Sequence, residues 1–231
     1  MAIIVGDIHG KVEKVTAFLA YKPDAEHVAL GDYLDSYGEP IERQLESLQL
    51  LMNSEAVLLL GNHECHYLKY PLFQFAGYQV DHAGILQDIL ESNLNRFNAA
   101  YAADGWLCTH AGVNSKFTEQ QSDVTILADM LNNRWKLYLR HRLVDHHARY
   151  FYQSIFEFNH CIFLVGNLLP TNINQIFGHM EHMRPILEPN YIALDTTNYS
   201  NNCWLYDTEC SELVQLPLVP KIGWVRFQGG A

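Results

Sequence analysis

The stretch AVLLLGNHE, at residues 56–64, combines a structural and a chemical signal. Its first five residues are apolar and are followed by Gly61, a pattern that predicts a short buried strand. Asn62, His63 and Glu64 come next, so they lie at the end of that strand. With about 5% usage per residue type, a given tetrapeptide such as Gly-Asn-His-Glu arises by chance at about one position in 10⁵. The stretch therefore predicts functional side chains at a strand end.

Four further polar motifs stand at the ends of apolar runs. They read GDIHG at residues 6–10, GDYLD at 31–35, HAG at 110–112 and GH at 178–179. Each motif alone is typical of a turn or a helix cap, but the whole series in this order is improbable by chance. Its carboxylate, imidazole and amide groups are the ligands that a pair of divalent metal ions takes in proteins. The sequence therefore predicts a two-metal site.

The candidate ligands divide between two ions. Asp7 and His9 are separated by one residue, so in extended backbone both side chains point the same way and can bind one ion. Asp32 carries two carboxylate oxygens and can bridge two ions about 3.5–4 Å apart. The second ion is completed by a neutral amide oxygen and two imidazoles, from Asn62, His110 and His179.

Apolar runs alternate with helical patterns along the first half of the chain, which predicts an α/β fold. Apolar residues at helical spacing predict a helix over residues 41–52. A second helical stripe covers residues 85–97, and a third covers residues 124–138 behind a capping Ser122. We expect these later stripes to form a helical cap beside the core sheet, in insertions at about residues 66–105 and 115–160.

Composition limits the architecture and the classes of function. The 231 residues are 48% hydrophobic and 18% charged without a compositional break, which predicts one domain over residues 1–231. No apolar run approaches the roughly 20 residues that span a bilayer, and no basic region precedes the short apolar run at the start. We therefore expect no membrane association and a cytoplasmic location. The net charge of −11 argues against a general nucleic-acid binder.

The cysteines indicate a reducing environment. There are five, an odd number without a CxxC motif, which favours free thiols over a disulfide framework. Cys65 and Cys108 each lie two residues from a candidate histidine. Oxygen and nitrogen ligands already complete the predicted set, so a small buried cysteine is the simpler interpretation of both.

The motifs resemble those of the calcineurin-like metallophosphoesterase superfamily, especially its branch of serine/threonine protein phosphatases and diadenosine polyphosphate hydrolases. The family pattern reads GDxHG, GDxxDRG, GNHE, HAG and GH, and the match runs from Gly6 to His179. The resemblance implies a four-layer α-β-β-α sandwich of two mixed β-sheets flanked by helices. It also implies that Asp7, His9 and Asp32 hold the first metal. The second metal would be held by Asp32, Asn62, His110 and His179.

The resemblance also implies a catalytic pair. His63 would act as general acid toward the leaving oxygen, and Asp35 would orient it. Imidazole titrates near neutrality, and a carboxylate partner fixes its tautomer and raises its pKa. The implied reaction is in-line attack on phosphorus by a hydroxide that bridges the two metals, without a phosphoenzyme.

One position departs from the family pattern, because Ser36 replaces the arginine of GDxxDRG. An arginine clamps phosphate through two parallel hydrogen bonds, whereas a serine hydroxyl donates one. We therefore expect weaker binding of a phosphomonoester dianion unless another cation substitutes. A basic run in the predicted cap can supply that cation, although such a run is more often a solvated helix face. The candidates for substrate binding are Arg134, Arg140 and Arg142.

These observations favour a phosphatase that hydrolyses phosphomonoesters such as a phosphoprotein. A nucleotide substrate such as a dinucleoside polyphosphate is the alternative, and a non-catalytic metal-binding scaffold is the alternative of a different class. Oxygen and nitrogen ligands suit two divalent ions, with Mn²⁺ first and iron, zinc or nickel also compatible. The native metal pair, the substrate and the oligomeric state are left open by the sequence.

Overall fold

A computed structural model describes residues 1–69, 71, 74–113, 115–141, 172–197 and 202–218. Its first sheet has six strands in the order β11-β10-β1-β2-β3-β4. The four strands from the first half of the chain are parallel, β10 pairs antiparallel with β1, and β11 pairs antiparallel with β10. The strands are β1 (Ala2–Val5), β2 (Glu26–Ala29), β3 (Val57–Leu59), β4 (Phe97–Asn98), β10 (Asn202–Asp207) and β11 (Glu212–Pro217).

The second sheet has five strands in the order β5-β6-β7-β9-β8. Its three central strands β6, β7 and β9 are parallel, and the two edge strands run antiparallel to them. Both sheets are therefore mixed. The strands are β5 (Ala100–Ala103), β6 (Trp106–Thr109), β7 (Asn174–Phe177), β8 (Ile186–Glu188) and β9 (Tyr191–Ala193).

Helices cover the outer faces of the two sheets. Buried side chains of α1 and α2 pack against the first sheet, and α6 packs against β5 and β6 of the second. The helices are α1 (Val12–Ala20), α2 (Ile41–Met52), α3 (Asn62–Cys65), α4 (Ala83–Ser92), α5 (Ser115–Thr118) and α6 (Val124–His141), with 3-10 turns at Val80–His82 and Leu94–Arg96. Within the described ranges, none of these helices combines the length and the apolar character needed to cross a bilayer.

The side-chain alternation of β1 explains the layering. Ala2 and Ile4 lie in the apolar cluster between the sheets, together with residues of β7 and β9. Ile3 and Val5 point the other way and pack in the cluster that contains the buried face of α1. A strand that is apolar on both faces fits between a second sheet and a helix. The predicted sandwich of two mixed sheets flanked by helices is confirmed.

The predicted helix at residues 41–52 is α2, but the stripe over residues 85–97 is helical only in part. α4 ends at Ser92, and Phe97 begins β4, where it pairs with Leu58 of β3. This pairing buries Phe97 and satisfies its backbone through the sheet, which outweighs its helical spacing. The expected helical insertion at 66–105 is therefore corrected, because its last part supplies β4 and β5.

The second expected insertion, at 115–160, also differs from the prediction of a cap. α6 lies flat on the second sheet as one of the outer layers, with Leu127, Leu131 and Trp135 buried. Its Asn132 side chain accepts hydrogen bonds from the backbone nitrogens of 99 and 100 and donates to the carbonyl of 100, which fixes the helix to the edge strand β5. Residues 142–160 of this insertion lie outside the described residues.

The predicted helix cap is also one residue off. The Asp123 carboxylate, and not the Ser122 hydroxyl, accepts hydrogen bonds from the backbone nitrogens of Thr125 and Ile126, at 2.8 and 3.2 Å. A carboxylate at this position also interacts favourably with the helix dipole, whereas a hydroxyl does not.

Candidate metal centre

The candidate ligands all follow strands whose carboxyl ends meet at one edge of the sandwich. In the first sheet they follow the parallel strands β1, β2 and β3, and in the second they follow β6 and β7. Because parallel strands end at the same edge, residues distant in sequence are brought together. The side chains concerned are Asp7, His9, Asp32, Asn62, His110 and His179.

Asp32 lies at the centre of this group. Its Oδ2 atom is 3.4 Å from His110 Nε2, 3.8 Å from His63 Nε2 and 4.0 Å from His9 Nε2. Two sets of potential ligand atoms share Asp32, one with His9 and His63 and the other with His110 and His179, and in each set the atoms lie within 4.8 Å of one another. Asp7 borders the first set, because its Oδ2 is 3.9 Å from His9 Nε2. One carboxylate between two donor sets is the arrangement that a bridging ligand needs.

The second set is the more compact. Asn62 Oδ1 is 2.9 Å from both His110 Nε2 and His179 Nδ1, and the two imidazole nitrogens are 3.2 Å apart. Hydrogen bonds to backbone carbonyls also fix the tautomers of His110 and His9, because a carbonyl oxygen can only accept a hydrogen bond. His110 Nδ1 therefore donates to the Leu30 carbonyl at 3.0 Å and His9 Nδ1 donates to the Leu34 carbonyl at 2.7 Å, which leaves both Nε2 atoms free for an ion.

The backbone at these positions is unusual. His9, Asp32, Asp35 and His179 have positive φ angles of 45°, 50°, 61° and 68°. Side chains other than glycine rarely adopt this left-handed region, and it costs of order 1 kcal/mol or more at each position. Such conformations persist where the surrounding structure holds them, and here they turn the side chains that follow each strand toward a common point.

Two glycines make room for the carboxylates. A Cβ atom built on Gly61 would overlap Asp32 Oδ1, and one on Gly178 would overlap Asp7 Oδ1, both well under 3.0 Å. The same oxygens accept backbone hydrogen bonds from residues just after these glycines, since His63 N donates to Asp32 Oδ1 at 3.0 Å and His179 N donates to Asp7 Oδ1 at 2.9 Å. Each carboxylate therefore lies against glycine backbone and is held there by a backbone N–H group.

Glu64 is a structural anchor of the site that the sequence analysis did not single out. Its buried carboxylate accepts hydrogen bonds from the backbone nitrogens of Gly61, Asp32, Tyr33 and Leu34, at 3.1, 3.0, 2.8 and 3.3 Å. It thereby ties the turn after β2 to the turn after β3. Its place in the Gly-Asn-His-Glu motif was the signal available, because a buried glutamate at the start of a short helix commonly accepts backbone hydrogen bonds.

The charges in the site are poorly balanced without cations. Burial and the nearby Asp195 carboxylate raise the pKa of Asp7 well above its usual value. Burial acts the same way on Asp32, but His110 and His63 outweigh it and hold the pKa of Asp32 well below its usual value. Burial lowers the pKa of His110, yet Asp32 raises it to about 10. Bound divalent cations would offset the buried carboxylate charge, so the donor set and its charge fit the metal ions that the sequence predicts.

His63 and Asp35 form a close pair beside this group. His63 Nδ1 donates to Asp35 Oδ2 at 2.8 Å, while the opposite nitrogen, Nε2, faces Asp32. Although burial lowers the pKa of His63, the Asp32 and Asp35 carboxylates raise it above its usual value. The His63 side chain is 13% exposed, whereas the Asp35 side chain is fully buried. The imidazole is therefore accessible and its partner is enclosed.

Of the candidate phosphate-binding arginines, Arg134 is half-buried and Arg140 is exposed on α6, and Arg142 lies outside the described residues. Their role stays a prediction. The Ser36 hydroxyl accepts hydrogen bonds from the backbone nitrogens of Gly38 and Glu39, at 3.3 and 3.0 Å, so it stabilises its own turn.

Cys108 is a core residue. It lies in the apolar cluster between the sheets, where burial raises the pKa of its thiol. Among the described residues, neither Cys65 nor Cys108 belongs to a group of side chains placed to share a metal ion. Both placements agree with the simpler interpretation of these cysteines as buried residues.

The fold and the clustered donors define a protein built to hold divalent cations at the edge of a two-sheet sandwich. Residues 2–180 match the family model of calcineurin-like phosphoesterases, and the chain belongs to this family. Among solved structures, a metallophosphoesterase from Sphaerobacter thermophilus is similar, with 14% sequence identity and a TM-score of 0.41 over 93% of this chain and 87% of that chain. The chain is accordingly a metal-dependent phosphoesterase by family.

Proposed function

We propose that the chain is a two-metal phosphoesterase whose first substrate class is phosphomonoesters, such as a phosphoprotein. The observation that carries this proposal is the position of Asp32 between two donor sets, with a histidine that points into the same space and is held by a second carboxylate. Two divalent ions, Mn²⁺ first among the candidates, would make water nucleophilic near neutral pH and offset charge on the phosphoryl oxygens. Asp7, His9 and Asp32 would hold one ion. The other would be held by Asp32, Asn62, His110 and His179.

The chain's own residues supply the proton in this proposal. Because His63 Nδ1 donates to Asp35, the Nε2 atom is the one that faces the ligand cluster. A protonated Nε2 can donate to the leaving oxygen as the bond to phosphorus breaks. Burial lowers the pKa of His63 and Asp32 raises it, but Asp32 would be committed to the ions; the Asp35 carboxylate, which binds no ion in this proposal, also raises the pKa of His63 and supports its protonation.

Dinucleoside polyphosphates are the second candidate substrates, because of position 36. An internal phosphoanhydride carries less charge per phosphorus than a phosphomonoester dianion, so it depends less on an arginine clamp. Here Ser36 is engaged in its own turn, and the nearby Arg43 is paired with Glu13 and Glu39 at 2.6 and 2.9 Å. These contacts favour a substrate that needs little extra positive charge.

The direct test is a comparison of hydrolysis rates in Mn²⁺ on four substrates: p-nitrophenyl phosphate, a phosphodiester, a phosphoserine peptide and a dinucleoside tetraphosphate. The proposal expects Mn²⁺-dependent turnover, lost on chelation, with the phosphomonoesters first. If the dinucleoside tetraphosphate is the best substrate, the second candidate takes precedence. Inactivity on all four would favour the non-catalytic metal-binding scaffold.

The role of His63 has its own test. A general acid matters most when the leaving group is a poor one, so His63→Asn should reduce the rate on the phosphoserine peptide by about 10²-fold or more. On p-nitrophenyl phosphate, whose leaving group needs little protonation, the reduction should be at least tenfold smaller. Equal losses on both substrates would remove His63 from this role.

A further inference from the structure

Asp35 is held in place at some conformational cost. Its φ angle is 61°, a left-handed conformation, and its side chain is fully buried. Its backbone nitrogen donates to Gln44 Oε1 at 2.9 Å, which fixes the main chain but leaves the carboxylate free to rotate. The direction in which the carboxylate faces must therefore be set by the groups around its two oxygens.

The two oxygens of Asp35 have different partners. Oδ2 accepts from His63 Nδ1 at 2.8 Å, and His66 Nε2 also lies 2.6 Å from it, although outside the alignment of a hydrogen bond. Oδ1 accepts from the Tyr67 hydroxyl at 2.5 Å and from Gln79 Nε2 at 3.1 Å. A carboxylate held through Oδ1 cannot turn Oδ2 away from His63.

Tyr67 is the stiffest of these partners. Its ring is 1% exposed, stacks on Tyr78 with centroids 4.9 Å apart and meets the His66 ring edge-on at 4.3 Å. Its hydroxyl oxygen accepts from Gln79 N at 2.8 Å. A hydroxyl has one proton, and a backbone N–H can only donate, so the Tyr67 proton must point to Asp35.

His63 and Tyr67, which both contact Asp35, are close together in the sequence. His63 lies on the short helix α3, and Tyr67 follows just after the end of that helix. The two side chains thus approach Asp35 from one rigid segment, His63 on Oδ2 and Tyr67 on Oδ1. Gly77 closes the other side, because a Cβ atom there would come within 3.1 Å of Asp35 Cβ.

We propose that Tyr67 is a positioning residue for the catalytic pair: by donating to Asp35 Oδ1 it holds Oδ2 against His63 Nδ1, and so keeps His63 Nε2 directed at the leaving oxygen. The inference rests on the proposed function for its effect on rate. Without the hydroxyl, Oδ1 of the carboxylate keeps only the longer hydrogen bond from Gln79 Nε2, at 3.1 Å, so Asp35 is held less firmly and can rotate. His63 then loses its fixed tautomer, while the metal ligands keep all of their contacts.

The test uses Tyr67→Phe, which keeps the buried ring and its stack and removes only the hydroxyl. With Mn²⁺ bound, kcat on the phosphoserine peptide should fall by about tenfold, with little change in KM or in bound metal. On p-nitrophenyl phosphate kcat should change less than threefold. Tyr78→Phe, which removes the hydroxyl of the ring stacked on Tyr67, is the matched control and should leave both rates within twofold of the parent.

A double variant separates positioning from a general loss of structure. In the His63→Asn background, Tyr67→Phe should cause no further loss, because its effect passes through His63. An additive loss, or an equal loss on both phosphoesters, would overturn the proposal.

A second readout does not depend on turnover. Long-range ¹H–¹⁵N spectra of the imidazoles in zinc-loaded protein report the tautomer of His63 directly. At a pH where the His63 imidazole is neutral, the parent should show its remaining proton on Nδ1, held by Asp35, and Tyr67→Phe should show a mixture of the two tautomers. An unchanged His63 tautomer in the variant would overturn the proposal even if the parent hydrolyses none of the substrates, a result that on its own would count against the proposed function.

Discussion

Both carboxylate ligands of the candidate metal centre follow strands of the first sheet, whereas the two candidate ligands that follow strands of the second sheet are imidazoles. Asp7 and Asp32 follow strands of the first sheet, and His110 and His179 follow strands of the second. The two halves are joined directly, since His179 N donates to Asp7 Oδ1 at 2.9 Å and His110 Nδ1 donates to the Leu30 carbonyl at 3.0 Å. The site is therefore assembled across the sandwich, and bound ions would tie one sheet to the other.

The turns that carry the ligands are also held differently in the two sheets. In the first sheet, Glu64 accepts hydrogen bonds from four backbone N–H groups of two turns. In the second, Gln175 holds the turn after β6 through Val113, accepting from its nitrogen at 2.9 Å and donating to its carbonyl at 3.4 Å. The Glu64 carboxyl group thus accepts four backbone hydrogen bonds in the first half of the site, whereas the Gln175 amide makes two in the second half. We therefore expect substitution of the anchor in the first half of the site to lower the stability of the protein more than substitution of the anchor in the second half.

The largest effect is expected from the shared ligand. Asp32→Asn keeps the size of the side chain but removes the charge that both donor sets use, so it should lower hydrolysis by more than about 10²-fold and weaken both ions. His179→Asn, in the second half, should weaken one ion and leave the other. The metal-to-protein ratio after gel filtration in limiting Mn²⁺ measures the difference, and equal ratios for the two variants would contradict the assignment of Asp32 as the bridging ligand.

Next come the two glycines that seat the carboxylates, one in each half. Gly61→Ala and Gly178→Ala each place a methyl group where a carboxylate oxygen now lies, so both should displace their carboxylates and reduce Mn²⁺ affinity by about tenfold or more. Gly38→Ala is the control, because nothing lies within 4 Å of its added carbon. Calorimetric titration with Mn²⁺ measures the affinities. If both alanine variants bind Mn²⁺ as the control does, the described seating of the carboxylates is wrong.

The two anchors should differ in their effect on stability. Glu64→Gln turns an amide group toward backbone N–H donors, which leaves buried donors unpaired and should lower the free energy of unfolding by about 2–4 kcal/mol. Gln175→Ala removes a neutral pair of hydrogen bonds and should cost about 1–2 kcal/mol. Urea unfolding in the presence of a chelator measures both without metal binding. A smaller loss for Glu64→Gln than for Gln175→Ala would reverse the comparison of the two halves.

The smallest effect concerns pH. In the metal-free protein, burial and Asp195 raise the pKa of Asp7, and Asp32 raises the pKa of His110 to about 10 against the effect of burial. His110 thus holds a proton that an ion must displace, so affinity should fall by up to about tenfold as the pH is lowered from about 7 to about 6. Mn²⁺ titrations in buffers of different ionisation enthalpy count the protons released. Release of no protons would contradict the raised pKa of His110.

The half of the site that is built on the first sheet could largely be predicted from the sequence, because the patterns that indicate its elements are local. The apolar runs that form β1 to β3, the helix at α2 and the polar motifs after the strands all depend on residues close together in the chain. The positions of the ligands on strand ends followed from this pattern. The carboxyl ends of parallel strands share an edge, and this arrangement in the fold brings the ligands together.

The parts that failed depend on partners distant in sequence. Phe97 has helical spacing with the residues before it, yet pairing with Leu58 of β3 places it in a strand. α6 was expected in a cap and instead covers the second sheet, an outcome set by Asn132 and the edge strand β5. Tyr67 belongs to no motif that reveals what it binds, and only the fold brings the Asp35 carboxylate to it.

The most direct test of the central claim is an anomalous-difference map from crystals of the protein grown with Mn²⁺. The account predicts two peaks about 3.5–4 Å apart, one on each side of the Asp32 carboxylate. One peak would lie near Asp7 and His9, and the other near Asn62, His110 and His179. A single peak, or peaks that do not contact Asp32, would contradict the two-metal centre.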